Sequence, residues 1–219
     1  MINDLICELH NQGVNIIKAV DISMLSDNEK RGYEKAILIG IVLSGRYIRR
    51  LITENDIDYS EFTETEKRTD HLAEWTADYI LAKGYRAFAQ SEKNLIKQGN
   101  YNASTKSTLL PHKKVALLAG LGWIGKNNLL VTEEYGCAVS MCTVLTDMPL
   151  PTENATIIMP KCGNCMTCKN VCYPKAIHGT TWAFDVTRDG IIDVYHCETC
   201  LKCLAHCPWT LNYMKHCTL

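Results

Sequence analysis

The chain lacks an excess of charge of either sign, since 23 basic side chains stand against 24 acidic ones among its 219 residues. A protein that holds nucleic acid through its net charge would be strongly basic, so the charge balance does not support nucleic acid as a partner. The longest apolar run, Ala36 to Leu43, is too short to cross a bilayer, and the N-terminus shows no secretory signal pattern. We therefore expect a soluble, cytoplasmic protein with no membrane partner.

Cysteine, by contrast, is abundant, with 12 copies. In a reducing compartment this number indicates metal binding rather than disulfides. Eight of these cysteines form two runs with the spacing C-x2-C-x2-C-x3-C, and a proline follows each run at once or one residue later. The first run extends from Cys162 to Cys172 and the second from Cys197 to Cys207. This spacing is typical of bacterial ferredoxins with two [4Fe–4S] clusters.

The four iron corners of a cubane cluster each need one thiolate, and three closely spaced cysteines can curl around only one face of it. In two-cluster ferredoxins the fourth cysteine of each run binds the other cluster. We therefore assign one cluster to Cys162, Cys165, Cys168 and Cys207. The second cluster is assigned to Cys172, Cys197, Cys200 and Cys203. Two zinc sites with four cysteine ligands each are the alternative, although zinc ligands usually come as paired C-x2-C knuckles.

The N-terminal two thirds of the chain alternates predicted strands and helices, which indicates a layered α/β domain. The apolar run 35–43 is typical of a strand that is buried on both faces of a sheet. Thr63 to Glu66 forms a capping box, which predicts a helix that begins there and ends near Lys83. The expected fold class is therefore α+β, with an α/β layered domain over residues 1–152.

The last third is predicted to be a bacterial ferredoxin-like domain with two [4Fe–4S] clusters over residues 153–219. Residues 182–195 alternate around Asp189-Gly190, which predicts a β-hairpin between the two cysteine runs. Further upstream, residues 91–107 are polar and predict either a loop that covers a ligand or a plain surface loop.

A glycine-rich segment, G120-L-G122-W-I-G125-K126-N, stands between these two regions. It matches G-x-G-x-x-G, but the residues before it look helical, whereas a dinucleotide site needs a strand there. The asparagine after Lys126 also excludes a phosphate-binding P-loop. From the residues alone, the segment predicts a tight bend that either approaches a ligand closely or packs on the sheet.

The order of these motifs resembles the epoxyqueuosine reductase family, over roughly residues 85–219 and more loosely the strand at 36–43. The shared elements are L-P-H-K before the glycine segment, A-G-L-G-W-I-G-K-N itself, L-V-T-x-E-Y-G, V-L-T-D-M-P-L and the double cysteine run ending C-P-W. The resemblance implies a nitroreductase-like domain that holds cobalamin, fused to a double-cluster ferredoxin domain, and a relation to reductive dehalogenases. It implies removal of oxygen from a modified tRNA base, with electrons passing through the clusters to cobalt.

Three features depart from the family pattern. The family's catalytic aspartate falls near Lys106, where the neighbours are Thr105 and Ser107 and no carboxylate is present. The family's C-terminal helical-repeat region, which helps to grip tRNA, has no counterpart after Cys207. The second cysteine run is also more compact than in the family. We therefore expect a short, divergent relative for which tRNA is not a partner.

We expect an iron–sulfur oxidoreductase that passes electrons to a cofactor in the N-terminal domain, cobalamin or alternatively a flavin. The residues expected to line that cofactor are Gly122, Trp123, Gly125, Lys126 and Asn127. His112 is the candidate proton donor, because the ordinary pKa of histidine suits proton transfer near neutral pH. The alternative function is a ferredoxin-type electron carrier, or a corrinoid activator, that serves a partner enzyme. Either function needs a redox partner protein as electron donor, and the first also a small-molecule or corrinoid ligand.

Overall fold

A computed structural model describes residues 2–54, 59–152 and 155–217. These residues form two compact units. The first unit comprises the described parts of Met1–Ile41, Phe62–Ala119 and Ser140–Thr156; the second comprises those of Val42–Glu61, Gly120–Val139 and Ile157–Leu219. The division therefore differs from the single predicted boundary at residue 152. The second unit thus joins the described parts of two earlier segments, 42–61 and 120–139, to the cysteine runs.

The elements up to residue 118 are α1 (Ile2–Asn11), β1 (Ile16–Asp21), α2 (Asp27–Lys30), β2 (Lys35–Val42), α3 (Gly45–Thr53), α4 (Ser60–Ala82), β3 (Ala87–Ala89), α5 (Glu92–Lys97), β4 (Tyr101–Asn102), β5 (Ser107–Thr108) and α6 (His112–Leu118). They are followed by β6 (Trp123–Ile124), β7 (Leu130–Val131), β8 (Val139–Thr146), α7 (Thr167–Asn170), a 3-10 helix (Arg188–Gly190), α8 (Lys202–Ala205) and α9 (Pro208–Lys215). Helices and strands thus mix along the chain, as the predicted α+β class requires.

A four-stranded sheet of order β1-β2-β8-β3 forms the centre of the first unit. Strands β1 and β2 run antiparallel with Ile16 opposite Gly40, and β3 and β8 run antiparallel with Ala87 opposite Thr146. Residues 36–41 of β2 are all buried, which confirms the strand predicted from the apolar run. The core packs helices α1 and α4 against this sheet through side chains such as Leu5.

Helix α4 begins at Ser60, so the predicted capping box at Thr63 is wrong. Thr63 and Glu66 instead lie inside the helix. The buried positions of α4 are Thr69, Leu72, Ala73, Thr76, Ala77 and Ile80. Their spacing of three or four residues follows the helical period, so one face of α4 packs against the core and the opposite face points away from it.

Two other sequence predictions need correction. The segment 91–107 is not a plain loop, because it contains helix α5 and the short β4–β5 hairpin. The hairpin predicted over 182–195 does not form: this stretch holds the 3-10 helix and a single bridge between Ile177 and Ile192. Ile192 pairs outside its own stretch because it is buried beside Cys172, in a small apolar cluster next to the cysteines.

In the second unit, α3 packs against α8 and α9. The Lys202 ammonium donates hydrogen bonds to the carbonyls of Leu51 and Glu54, at 2.6 and 2.9 Å, and so caps the C-terminal end of α3. The Tyr213 hydroxyl donates to the Leu43 carbonyl at 3.1 Å. Across the described ranges, none of the helices has the length and apolar character needed to span a membrane.

Candidate functional site

Four cysteines border one cavity inside the second unit, which has a volume of about 380 Å³. They are Cys162, Cys165 and Cys168 of the first run and Cys207 of the second. Burial, followed by the nearby thiols of Cys162, Cys207 and Cys165, raises the pKa of Cys168 to about 11. The first run and the last cysteine of the second therefore form one thiol set.

The remaining four run cysteines form a second set. Burial, and then the thiols of Cys200, Cys168, Cys197 and Cys172, raise the pKa of Cys203 well above its ordinary value. Cys172 lies in a small apolar cluster that also contacts Cys168, Cys197 and Cys203. The set comprises Cys172, Cys197, Cys200 and Cys203, which are the four cysteines assigned to the second cluster from the sequence; Cys168 is a neighbour from the first set. The grouping agrees with the crossed assignment, while metal ligation itself stays a prediction.

Cys207 occupies the N-cap of α9, with Pro208 as the first helical residue. The pKa of its thiol is lowered to about 6, chiefly by a hydrogen bond from Cys137 and further by the backbone N–H groups of Trp209 and Thr210. Proline is well suited to this position because its missing N–H would be unpaired there anyway. Cys207, the last cysteine of the second run, therefore favours the thiolate form near pH 7.

Cys137 lies outside the two cysteine runs. It is 3% exposed, and its hydrogen bond to Cys207 is the main cause that raises its own pKa well above the ordinary value. The Asn127 amide donates to the Cys137 sulfur at 3.4 Å and to the Cys203 carbonyl at 3.5 Å. Asn127 therefore holds Cys137, and Cys137 donates to Cys207 and favours its thiolate form. The spacing of the cysteines alone could not reveal this role.

Lys126 is 5% exposed, an unusual burial for a lysine. Its ammonium donates hydrogen bonds to the carbonyls of Gly163 and Cys165, at 2.8 and 3.2 Å. Those carbonyls belong to the loop of the first cysteine run. Lys126 therefore fixes that loop and places a positive charge beside the first thiol set.

The predicted cofactor-lining residues divide into two groups. Gly125, Lys126 and Asn127 border the cavity of the first thiol set. Gly122 lies against the opposite strand, where an added Cβ would stand 2.1 Å from the Val131 carbonyl oxygen. Trp123 is fully buried and meets Trp209 edge to face, with ring centroids 4.9 Å apart. The glycines thus permit the tight β6–β7 hairpin that holds residues 125–127 at the cysteines.

The donor chemistry of both sets fits an iron–sulfur cluster. Each set offers four thiols, and the first surrounds a real cavity. Cluster ligation requires these thiols to be deprotonated, so binding would release protons from buried groups such as Cys168. Over the described ranges, no three His, Cys, Asp or Glu side chains converge closely enough to hold a single metal ion.

His112 lies in the first unit, not with the cysteines. Its Nδ1 is 3.0 Å from the Thr143 hydroxyl, and burial lowers the pKa of the imidazole to about 4. The ring is neutral near pH 7, so this geometry favours a hydrogen-bonding role. A role of His112 as proton donor stays a prediction. The imidazole is not protonated near pH 7, and it belongs to a different unit from the cysteine sets.

His112 borders a second cavity of about 350 Å³, formed entirely within the first unit. It is lined by Thr63, Glu66, Lys67, Asp70, Gln90, Glu92, Leu95, Tyr101, Thr108, His112, Ser140 and Met141. Sequence reasoning missed this site because its members come from α4, α5, the β4–β5 hairpin, α6 and β8. The only local signal was Glu66, which was mistaken for a capping residue.

The fold and the thiol sets define an α+β protein with the architecture of epoxyqueuosine reductases and reductive dehalogenases. The structure of an epoxyqueuosine reductase with an epoxyqueuosine-modified tRNA-Tyr stem loop matches 99% of this chain and 66% of that chain, with a TM-score of 0.60 and 16% identity. A reductive dehalogenase whose structure suggests a B12-dependent mechanism matches 94% of this chain and 32% of that chain, with a TM-score of 0.66 and 17% identity.

The sequence comparison matches curated epoxyqueuosine reductases. The epoxyqueuosine reductase of Lactococcus garvieae is 31% identical over 121 residues, which are 54% of this chain and 34% of that protein. No family model matches the chain. The chain is therefore epoxyqueuosine reductase-like, as its motifs predicted, and the match spans about a third of the curated relative's length.

The expectation that tRNA is not a partner is contradicted by these comparisons. It rested on the departures from the family pattern and on the balanced net charge, yet an epoxyqueuosine reductase with this fold was solved with a tRNA stem loop in place. Net charge averages over the whole surface, whereas tRNA recognition needs only a local surface of suitable charge and shape.

Proposed function

We propose that this chain is an iron–sulfur reductase that passes electrons through two [4Fe–4S] clusters for a reaction related to epoxyqueuosine reduction, with a modified base in tRNA as the substrate class. The observation that carries the proposal is the grouping of the eight run cysteines into two sets of four. Each set takes its fourth thiol from the other run. The similarity to epoxyqueuosine reductases supplies the reaction class.

The bound clusters would supply single-electron transfer, and the protein would hold and tune them. Lys126 anchors the first loop and offsets the negative charge of its thiolates. Cys137 donates a hydrogen bond to Cys207, which favours its deprotonated form. Ile177 and Ile192 cover the second set with apolar surface and keep water from it.

Cobalamin is the acceptor that the resemblance favours, and a reductive dehalogenase of this fold is described as B12-dependent. The two cavities described above, about 380 and about 350 Å³, each lie within one unit and are several times smaller than a corrinoid. Gly122 and Trp123 border neither of them. Neither cavity fits this group, so no step is assigned to it. A flavin remains the alternative acceptor.

A ferredoxin-type carrier is the second candidate function, and one observation favours it. Three aromatic side chains near the cysteine runs are strongly exposed: Tyr173 at 63%, Phe184 at 73% and Tyr195 at 58%. Exposed aromatic groups near a redox centre suit transient contact with a partner protein. In this function the electrons would leave for another enzyme.

The test is anaerobic purification with iron, sulfide and zinc analysis, followed by titration with cobalamin and with flavin while the visible spectrum is recorded. We expect about eight irons per chain and a spectral change with one of the two cofactors. The loaded protein should then reduce epoxyqueuosine in tRNA when a chemical reductant is supplied. Full iron with no response to either cofactor would favour the carrier, and zinc in place of iron would overturn the cluster assignment.

A further inference from the structure

The cavity of the first unit has an excess of negative side chains. Glu66 and Asp70 lie one turn apart on α4, Glu92 stands at the start of α5, and Lys67 is the lysine that lines the cavity with them. The Asp70 carboxylate accepts a hydrogen bond from the Glu92 backbone N–H at 2.8 Å. The charges of Asp70 and Glu92 both raise the pKa of the Glu66 carboxyl.

These carboxylates oppose one another's ionisation. Partial burial raises the pKa of Glu66 to about 7, and the charges of Asp70 and Glu92 add to the rise, while part of the residue stays exposed to solvent. Burial also raises the pKa of Asp70. A positive charge placed among them would relieve this repulsion and favour the ionised forms.

A second, independent feature of the cavity is the amide of Gln90. Gln90 is fully buried, and its Oε1 accepts a hydrogen bond from the Arg31 guanidinium. Arg31 can only donate, so the orientation of the amide is fixed and its Nε2 is the donor that remains. That Nε2 has no partner among the described residues. Buried amide donors are almost always paired in folded proteins, so a ligand oxygen is the missing acceptor.

We propose that this cavity binds a small organic cation that also carries a hydrogen-bond-accepting oxygen, such as a protonated amino alcohol. The cation lies among Glu66, Asp70 and Glu92, and the oxygen accepts from Gln90. The volume of about 350 Å³ holds about a dozen water-sized groups at roughly 30 Å³ each. Leu95 supplies apolar contact for the carbon skeleton.

This site goes beyond the proposed function and does not depend on it, since every lining residue belongs to the first unit. Binding is therefore measurable whether or not the chain reduces anything. Three probes of similar shape separate the two features: aminocyclohexanol has both groups, cyclohexanediol lacks the charge and cyclohexylamine lacks the oxygen.

The experiment is isothermal titration calorimetry of the full, cluster-loaded chain with these three probes. We expect aminocyclohexanol to bind about tenfold more tightly than either of the others, which corresponds to one lost charge or hydrogen-bond contact. Glu66→Gln should weaken aminocyclohexanol binding by about tenfold, whereas Glu64→Gln, on an exposed part of the same helix and outside the lining, should not. Gln90→Met should abolish the advantage of aminocyclohexanol over cyclohexylamine.

The affinity should fall as the pH drops below about 7, because a protonated Glu66 must lose its proton to meet the cation. The other ionisable groups that line the cavity are Lys67, Asp70, Glu92, Tyr101 and His112. His112 stays neutral in this range, because burial lowers its pKa to about 4.

The proposal would be overturned if cyclohexanediol bound as tightly as aminocyclohexanol. It would also be overturned if the Glu64 and Glu66 variants lost aminocyclohexanol affinity to the same extent. Displacement of the amine by an equal concentration of Mg²⁺ would also overturn it, in favour of a metal site. Should Glu66→Gln fail to fold by circular dichroism, Glu92→Gln replaces it. Glu92 is exposed at the start of α5, and the same tenfold loss is expected.

Discussion

At the scale of single residues, the side chains that support the first thiol set come from the glycine segment. Lys126 binds two carbonyls of the first cysteine loop, and Asn127 donates to Cys137, which in turn donates to Cys207. The Lys126 hydrogen bonds join residues 37 and 39 positions apart, and the Asn127–Cys137 hydrogen bond spans ten positions. The G-x-G-x-x-G pattern thus marks a close backbone turn that presents two polar side chains, and its resemblance to a dinucleotide motif is a coincidence of spacing.

Replacing Lys126 by methionine tests this anchoring role. Methionine keeps an unbranched, buried side chain but removes both hydrogen bonds, which should cost roughly 2 kcal/mol of unfolding free energy. We expect the first cluster to become labile, so that iron retained after anaerobic exposure to a chelator falls to about half of about eight per chain. Iron analysis and thermal melting measure the two effects.

The matched control is Lys169→Met, because Lys169 is an exposed lysine of α7 in the same cysteine run. It should retain its iron and its melting temperature. A Lys126 variant with unchanged iron retention would contradict the anchoring role and leave Lys126 as a charge near the site.

At the scale of elements, a short helix in each run contains the third cysteine and ends before the fourth. Cys168 lies within α7, and Cys172 follows the end of that helix. Cys203 lies within α8, and Cys207 caps the start of α9. The fourth cysteine of each run therefore lies beyond a helical turn. This local geometry explains why each fourth thiol lies with the other run.

Paired substitutions distinguish crossed from uncrossed ligation. If ligation is crossed, Cys162→Ala with Cys207→Ala damages one cluster, whereas Cys162→Ala with Cys172→Ala damages both. We expect the first pair to keep about four irons per chain and the second to keep few. The reverse result in anaerobic iron analysis would show that each run binds its own cluster.

The elements also show where sequence patterns were sufficient. The run 35–43 formed the predicted strand because six successive buried residues suit only the interior of a sheet. The alternation at 182–195 failed because Ile192 is buried with Cys172 and Ala176, a contact that overrides local strand propensity. A period-two pattern shows which residues prefer burial, and it does not show which partner buries them.

At the scale of the whole molecule, the two units have different sources of stability. The first has a large apolar core between the sheet and its helices, with fully buried residues such as Leu9, Ile39 and Ile80. The second contains all eight run cysteines and only short helices after residue 157. Metal binding would therefore supply folding free energy mainly to the second unit.

Removal of iron should consequently unfold one unit before the other. After anaerobic chelation we expect hydrogen exchange to accelerate in the peptides of α7, α8 and α9, while β2 and β8 keep their protection. Mass spectrometry of the exchanged protein measures this, with the reconstituted protein as control. Uniform loss of protection in both units would show that they fold as one and contradict the separate roles.

The sequence by itself determined the chemical identity of the thiol sets, the central strand and the resemblance to epoxyqueuosine reductases. These follow from local spacing, which covalent geometry converts directly into loops and strands. Only the tertiary structure decided that Lys126 and Asn127 support the first thiol set and that Cys137 lies against Cys207. It also decided that Glu66 borders a cavity with Gln90. Such contacts join residues distant in sequence, and they depend on how apolar faces pack, which no local pattern specifies.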